Sequence, residues 1–74
     1  MATVESTFTP VEQIGETAGV IWHVLDKHEA LSLTRLIKAC GLSRDLVMQG
    51  LGWLAREDKV HIEETTRGKL VSLR

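Results

Sequence analysis

One cysteine, one proline, one phenylalanine, two tryptophans and no tyrosine occur in 74 residues. A lone Cys40 makes no internal disulfide, and with only three histidines there is no ligand set spaced for a structural zinc. No apolar run approaches the roughly 18 residues of a bilayer span, and Met1 to Pro10 lacks the basic start and apolar core of a secretion signal. No glycine-rich loop cradles a phosphate. His23, His28 and His61 fall where no nucleophile and orienting acid join them. These absences argue against a disulfide scaffold, a zinc module, a membrane span and an enzyme. The expectation is a cytoplasmic protein with no metal, no cofactor and no evident small-molecule substrate.

What is present is 43% apolar and 26% charged residues, the composition of one small domain near the lower size limit for folding unaided. Packing has to stabilise it, with pairing of chains as a further source. The net charge of −1 conceals an asymmetry. Residues 1–34 carry five acids against Lys27 alone, −4, whereas residues 35–74 carry eight bases against five acids, +3. If nucleic acid binds, it binds the second half.

Thr9-Pro10-Val11-Glu12 combines a capping hydroxyl, a proline at the first helical position and a glutamate able to reach back to the cap. Val11, Ile14, Ala18, Ile21, Trp22 and Leu25 then recur at three- and four-residue spacing, which predicts a helix ending near Lys27 or His28. Residues 1–8 contain Val4 and Phe8 without that spacing. They are expected to be a flexible tail, or a short strand that pairs with an offered edge, leaving residues 9–74 as the domain.

Ala30 to Leu33 reads as an extended link, after which Ser32 can cap a short helix turning Leu33, Leu36, Ile37 and Cys40 inward. Gly41 suits the left-handed residue that stops a helix, Leu42 turns back onto the core, and Ser43 caps again. A third helix is expected from about Arg44 to Glu57, with Val47, Gly50, Leu51 and Leu54 buried, so the pair forms a helix-turn-helix. Beyond Asp58 the period becomes two: Val60 and Ile62, then Val71 and Leu73, predict a hairpin whose tip around Thr66 to Gly68 displays Arg67.

The segment Leu31-Ser-Leu-Thr-Arg-Leu-Ile-Lys-Ala-Cys-Gly-Leu-Ser43 resembles the helix-turn-helix of the winged helix superfamily. Ile14-Gly15-Glu16-Thr17-Ala18-Gly19 with Ile21-Trp22, and Leu51-Gly52-Trp53-Leu54-Ala55-Arg56-Glu57-Asp58-Lys59, resemble more narrowly a family of small stand-alone bacterial winged helix-turn-helix proteins of uncharacterised function. That resemblance spans about residues 10–74. It implies a mainly α fold with a small β-hairpin (α+β): three helices plus a two- or three-stranded antiparallel wing sheet. By analogy with the superfamily it also implies DNA binding and transcription regulation, using the third helix (about 44–57) and the wing (about 63–70).

In such a fold the third helix enters the major groove, making Arg44, Asp45, Met48, Gln49, Gly52 and Arg56 its candidates for contact. Arg44 can read guanine or grip phosphate and Gln49 can pair with adenine, while Arg56, far along the helix, reaches only backbone. Asp45 opposes phosphate and is read as a helix-start residue. Arg67 and Lys69 on the wing, with Arg35 and Lys38, complete the candidate set for double-stranded DNA, weakened by Glu63 and Glu64.

The alternative is a protein-interaction or homodimerisation module without DNA binding. It rests on Val4, Phe8, Met48 and Leu70, which have no evident place in the predicted core. A homodimer serves either function. Two glycines in the third helix cost roughly 0.5–1 kcal/mol each, so Gly50 is expected to admit a close neighbouring helix and Gly52 a DNA backbone or partner chain. Trp53 is expected in the core and Cys40 as an inert thiol.

Overall fold

A computed structural model describes residues 9–74; the expected tail, with Val4 and Phe8, lies outside them. Helix α1 (Pro10–Asp26) starts as its sequence dictates. Thr9 Oγ1 accepts the Glu12 N–H at 3.1 Å, and Glu12 Oε1 accepts the Thr9 N–H at 2.8 Å. A short strand β1 (Leu31–Ser32) leads into α2 (Leu33–Cys40), a turn of three residues, and α3 (Arg44–Arg56). Strands β2 (Val60–Thr65) and β3 (Gly68–Leu73) close the chain.

Each boundary has a local cause. Ser32 Oγ accepts the Arg35 N–H and Ser43 Oγ the Leu46 N–H, both at 3.2 Å. Gly41, at φ 68°, donates its N–H to the carbonyls of Ile37 and Lys38, ending α2 in the left-handed conformation. At the end of α3 the same device is built without glycine. Lys59 N–H reaches the Leu54 carbonyl and Asp58 N–H the Ala55 carbonyl, a Schellman pair, with Asp58 at φ 63°.

The link expected before α2 is a true strand. β1 pairs antiparallel with β3 (Leu31 opposite Val71), and β3 with β2 (Ile62 opposite Val71), so β3 is central in a three-stranded sheet. Thr65 faces Gly68 across a two-residue tip of Thr66 and Arg67. Thr65 Oγ1 donates to the Gly68 carbonyl at 2.9 Å and accepts the Arg67 N–H at 3.2 Å, and Gly68 takes φ 128°.

The core draws on every element except the tip: Ile21 and Leu25 of α1, Leu36 of α2, Val47 of α3 and Val71 of β3 are fully buried. Ala18, Leu31, Leu33, Leu51, Leu54 and Val60 surround them, and Ile37 and Cys40 pack against the cluster. Val47, Gly50, Leu51 and Leu54 are the buried side of α3, as their spacing predicts.

Three expectations about side chains need correction. Val11 and Trp22 are 61% and 38% exposed. At 3.6 residues per turn they lie roughly 50° and 70° to one side of the line through Ile14, Ala18, Ile21 and Leu25, while α3 packs at Gly50 against the other side, that of Thr17. The inward place goes to Thr17, 3% exposed, whose hydroxyl donates to the Gln13 carbonyl at 2.8 Å. Trp53 is 37% exposed, because it lies beyond Gly50 at the border of the buried side of α3 and its ring lies over Gly15 of α1. Met48 does have a place against the core, and Leu70 is half-buried on β3 between Ser32 and Glu63 of the flanking strands. No helix among the described residues is long and apolar enough to cross a membrane.

Candidate nucleic-acid interface

The side of α3 opposite its buried residues carries Asp45, Gln49, Gly52 and Arg56, all exposed and spaced by three and four. A Cβ on Gly52 would meet nothing within 4 Å, so this side is open. Arg44, exposed on the first turn, points off one edge of that face toward the wing.

The wing comes to it because of strand register. Ser32 stands opposite Leu70, which sets Gly68 and Lys69 beside the first turn of α2. Arg44, Arg67 and Lys69 thereby line one recess with Ser32, Thr34 and Gly68, of about 290 Å³. Its lining holds three basic side chains and no carboxylate. Sequence reasoning named the three bases but missed Ser32 and Thr34 as polar lining. The available signal was their place at the first turn of a helix whose preceding strand pairs with the wing.

Lys69 is not free to turn into this recess. It lies across the hairpin from Glu64 and is ion-paired to it. The Lys69 ammonium, first by hydrogen bonding and then by its charge, holds the Glu64 carboxyl below the usual carboxylate range. Among the described residues no carboxylate pairs with Arg44 or Arg67.

The other candidates lie apart. Arg35 and Lys38 are exposed on adjacent turns of α2, outside the recess. Gln49 is on the outward side of α3, and Arg56, twelve residues beyond Arg44, is about 18 Å further along the helix axis. Arg56 borders Trp53 and Glu57 instead. Cys40 is half-buried, and burial pushes its thiol up from the ordinary value, the opposite of an activated cysteine.

Comparison with known proteins agrees with this architecture. An uncharacterized protein of Methanocaldococcus jannaschii, MJ1608, is 36% identical over 64 residues, which cover 84% of this chain and 91% of that protein. The solution NMR structure of BT2368 from Bacteroides thetaiotaomicron has a TM-score of 0.79 at 31% identity, covering 88% of this chain and 79% of that one. BpsR of Bordetella bronchiseptica, whose DNA binding is regulated by 6-hydroxynicotinic acid, has a TM-score of 0.75. At 22% identity it shares the fold, over 88% of this chain and 48% of that one. Residues 10–73 match the model of a family described as Winged helix-turn-helix domain (DUF2582), and over that match, with three helices and a three-stranded antiparallel sheet in the order the fold requires, the chain belongs to this family.

Proposed function

We propose that this domain is a cytoplasmic, transcription-associated regulator that binds double-stranded DNA through α3 and the wing. The observation that carries the proposal is the recess, lined by no carboxylate, where Arg44 and Arg67 converge between the start of α3 and the wing tip, with Lys69 beside them tethered to Glu64. Cations carried by the first turn of α3 and by the wing suit a polyanion that passes over both, as a phosphate backbone does. BpsR, a DNA-binding protein of the same fold, supports the assignment.

In this arrangement the first turns of α3 enter the major groove. Arg44 contacts guanine or the flanking phosphate, and Gln49, one turn further on the outward side, meets adenine. Gly52 lets the groove wall approach where a side chain would hold it off. Arg67 touches phosphate or minor groove from the wing tip, and Arg35 and Lys38 add backbone contacts beside α2. Arg56 contributes at most a distant backbone contact. A homodimer presents the set twice to two half-sites.

Fluorescence anisotropy of labelled random duplex DNA at several salt concentrations tests the proposal. With Arg35, Lys38, Arg44 and Arg67 engaged and Lys69 held by Glu64, the logarithm of affinity is expected to fall against the logarithm of salt with a slope of about −3.6 per chain. Absence of binding at low salt overturns it.

A further inference from the structure

The pairing of chains invoked above needs a surface, and one is visible away from the wing. Of the four large apolar side chains exposed on the domain, Trp22 and Trp53 border one recess, and Val11 lies about three turns away on the same flank of α1. Val11, Gly15 and Trp22 follow one flank of α1, and Gly15 lies beneath the Trp53 ring, whose Cζ2 would be 3.7 Å from a Cβ placed there. One turn further, Gly19 has nothing within 4 Å of where its Cβ would stand. Trp22 and Trp53, the only tryptophans of the chain, thus border a shallow recess of about 310 Å³ floored by two glycines. The two indoles, with Ala18 and Leu54, give this recess an apolar part that water solvates poorly, beside His23, Glu57 and Lys59 at its rim.

We infer that this surface joins two copies of the chain about a two-fold axis through the Trp22–Trp53 recess. The charges at its two edges select a second copy as the occupant. Along α1 the edge carries Glu12, Glu16 and Asp26, all exposed. At the end of α3, Arg56 and Glu57 both border Trp53, but Glu57 pairs with Lys59 at 3.6 Å and Asp58 with Arg74 at 3.0 Å, so Arg56 is left as the excess charge of that end. One edge is therefore acidic and the other basic, with the apolar strip between them. A two-fold axis running along the strip sets the acidic edge of each copy against the basic edge of its partner, and the open backbone at Gly19 lets the partner's α3 edge approach α1 closely. The inference rests on the homodimer proposed above, but its readout needs no DNA, so failure of one leaves the other testable.

Sedimentation equilibrium of the full chain without DNA is the test, with intrinsic fluorescence on the same samples. Wild type is expected to be a dimer whose tryptophan emission shifts to the red as dilution separates the chains, since both indoles lie in the interface. Gly19→Gln, a better helix former with room for its side chain in the monomer, is expected to weaken the dimer at least about tenfold while leaving the far-ultraviolet dichroism unchanged. Charge reversal supplies a second test independent of packing. Arg56→Glu makes both edges acidic, and Glu16→Lys with Asp26→Lys turns the acidic edge basic. Each variant alone is expected to dissociate, and an equimolar mixture to recover a dimer. A wild-type chain that stays monomeric at every concentration overturns the inference. So does a dimer that Gly19→Gln leaves intact and whose tryptophan emission does not move on dilution.

Discussion

A Cβ on Gly50 would stand 2.8 Å from Thr17 Cγ2, so α3 and α1 meet there with no room for a methyl group. The same Cβ would lie 3.0 Å from Ile21 Cδ1 and 3.1 Å from the backbone nitrogen of Ala18. A side-chain tip can yield, but a helix backbone cannot without moving α1 as a whole. Gly50→Ala gains about 1 kcal/mol of helix propensity and is nevertheless expected to destabilise the domain by about 1–3 kcal/mol through overpacking. Thr17→Ser removes the nearest methyl and keeps the hydroxyl that donates to Gln13. The double variant is therefore expected to be more stable than Gly50→Ala by part of that loss. Urea unfolding of the four proteins of this cycle measures it, and a Gly50→Ala domain as stable as wild type would show that the two helices part without cost.

Asp58 occupies the left-handed residue after α3, where glycine is the ordinary choice. Strain there costs about 1 kcal/mol, and its exposed ion pair with Arg74 offsets only a few tenths. Asp58→Gly is expected to raise stability by up to about 1 kcal/mol. Asp58→Ala, which keeps the strain and loses the ion pair, is expected to lower it. Thermal unfolding that ranks alanine at or above glycine would contradict this account of the turn.

The backbone of this fold is written locally, and that is why so much of it was legible. Thr9 with Glu12, Ser32, Gly41 and Ser43 each act within four residues of themselves, and their hydrogen bonds set the helix boundaries. The buried spacing of α3 and the alternation of Val60 to Glu63 on β2 also survive, whereas on β3 only Val71 is buried and Leu70, Ser72 and Leu73 are all half-buried. What was not legible depends on neighbours distant in sequence. Nothing near Leu31 says that it will pair with Val71, and only that pairing sets Arg67 and Lys69 beside Arg44. Trp22 was read inward from its spacing on α1, and Trp53 because large aromatic side chains usually bury their area. α1 packs chiefly against α3, with Gly50 set against Thr17, Ala18 and Ile21, and both rings lie at the flank of that contact instead.

Arg44 and Arg67 line the same recess but differ in what they can read. Arg44, on the first turn of α3, enters the groove with the helix, whereas Arg67, at the tip of a hairpin, meets the sugar-phosphate wall. Arg44→Ala is expected to weaken DNA binding and change the preferred sequence, with a loss of about 1–3 kcal/mol on the best site. Arg67→Ala is expected to weaken binding about equally on all sequences and to reduce the salt slope by about one. Selection from a random duplex pool followed by salt titration separates the two. Equal effects of both variants on every sequence would remove Arg44 from base recognition.

Glu64 restrains the third cation of the recess. Its carboxyl, held below the usual range by Lys69, stays ionised through mildly acidic pH, so the ion pair is intact near neutrality and is lost only as pH falls through the lowered value. Both side chains are solvent-accessible, so the pair adds little to folding; its consequence is where the Lys69 ammonium points. Glu64→Gln is expected to release that ammonium toward the recess, steepen the salt slope of DNA binding by about 0.9 and tighten binding several-fold at low salt. Glu63→Gln is the control. It removes the same charge from the same strand, but Glu63 faces Leu70 across the sheet and pairs with no lysine. Its effect is expected to be a smaller gain in affinity with an unchanged slope. If the two variants bind DNA with the same affinity and the same slope, the gain comes from net charge alone and Glu64 does not restrain the wing.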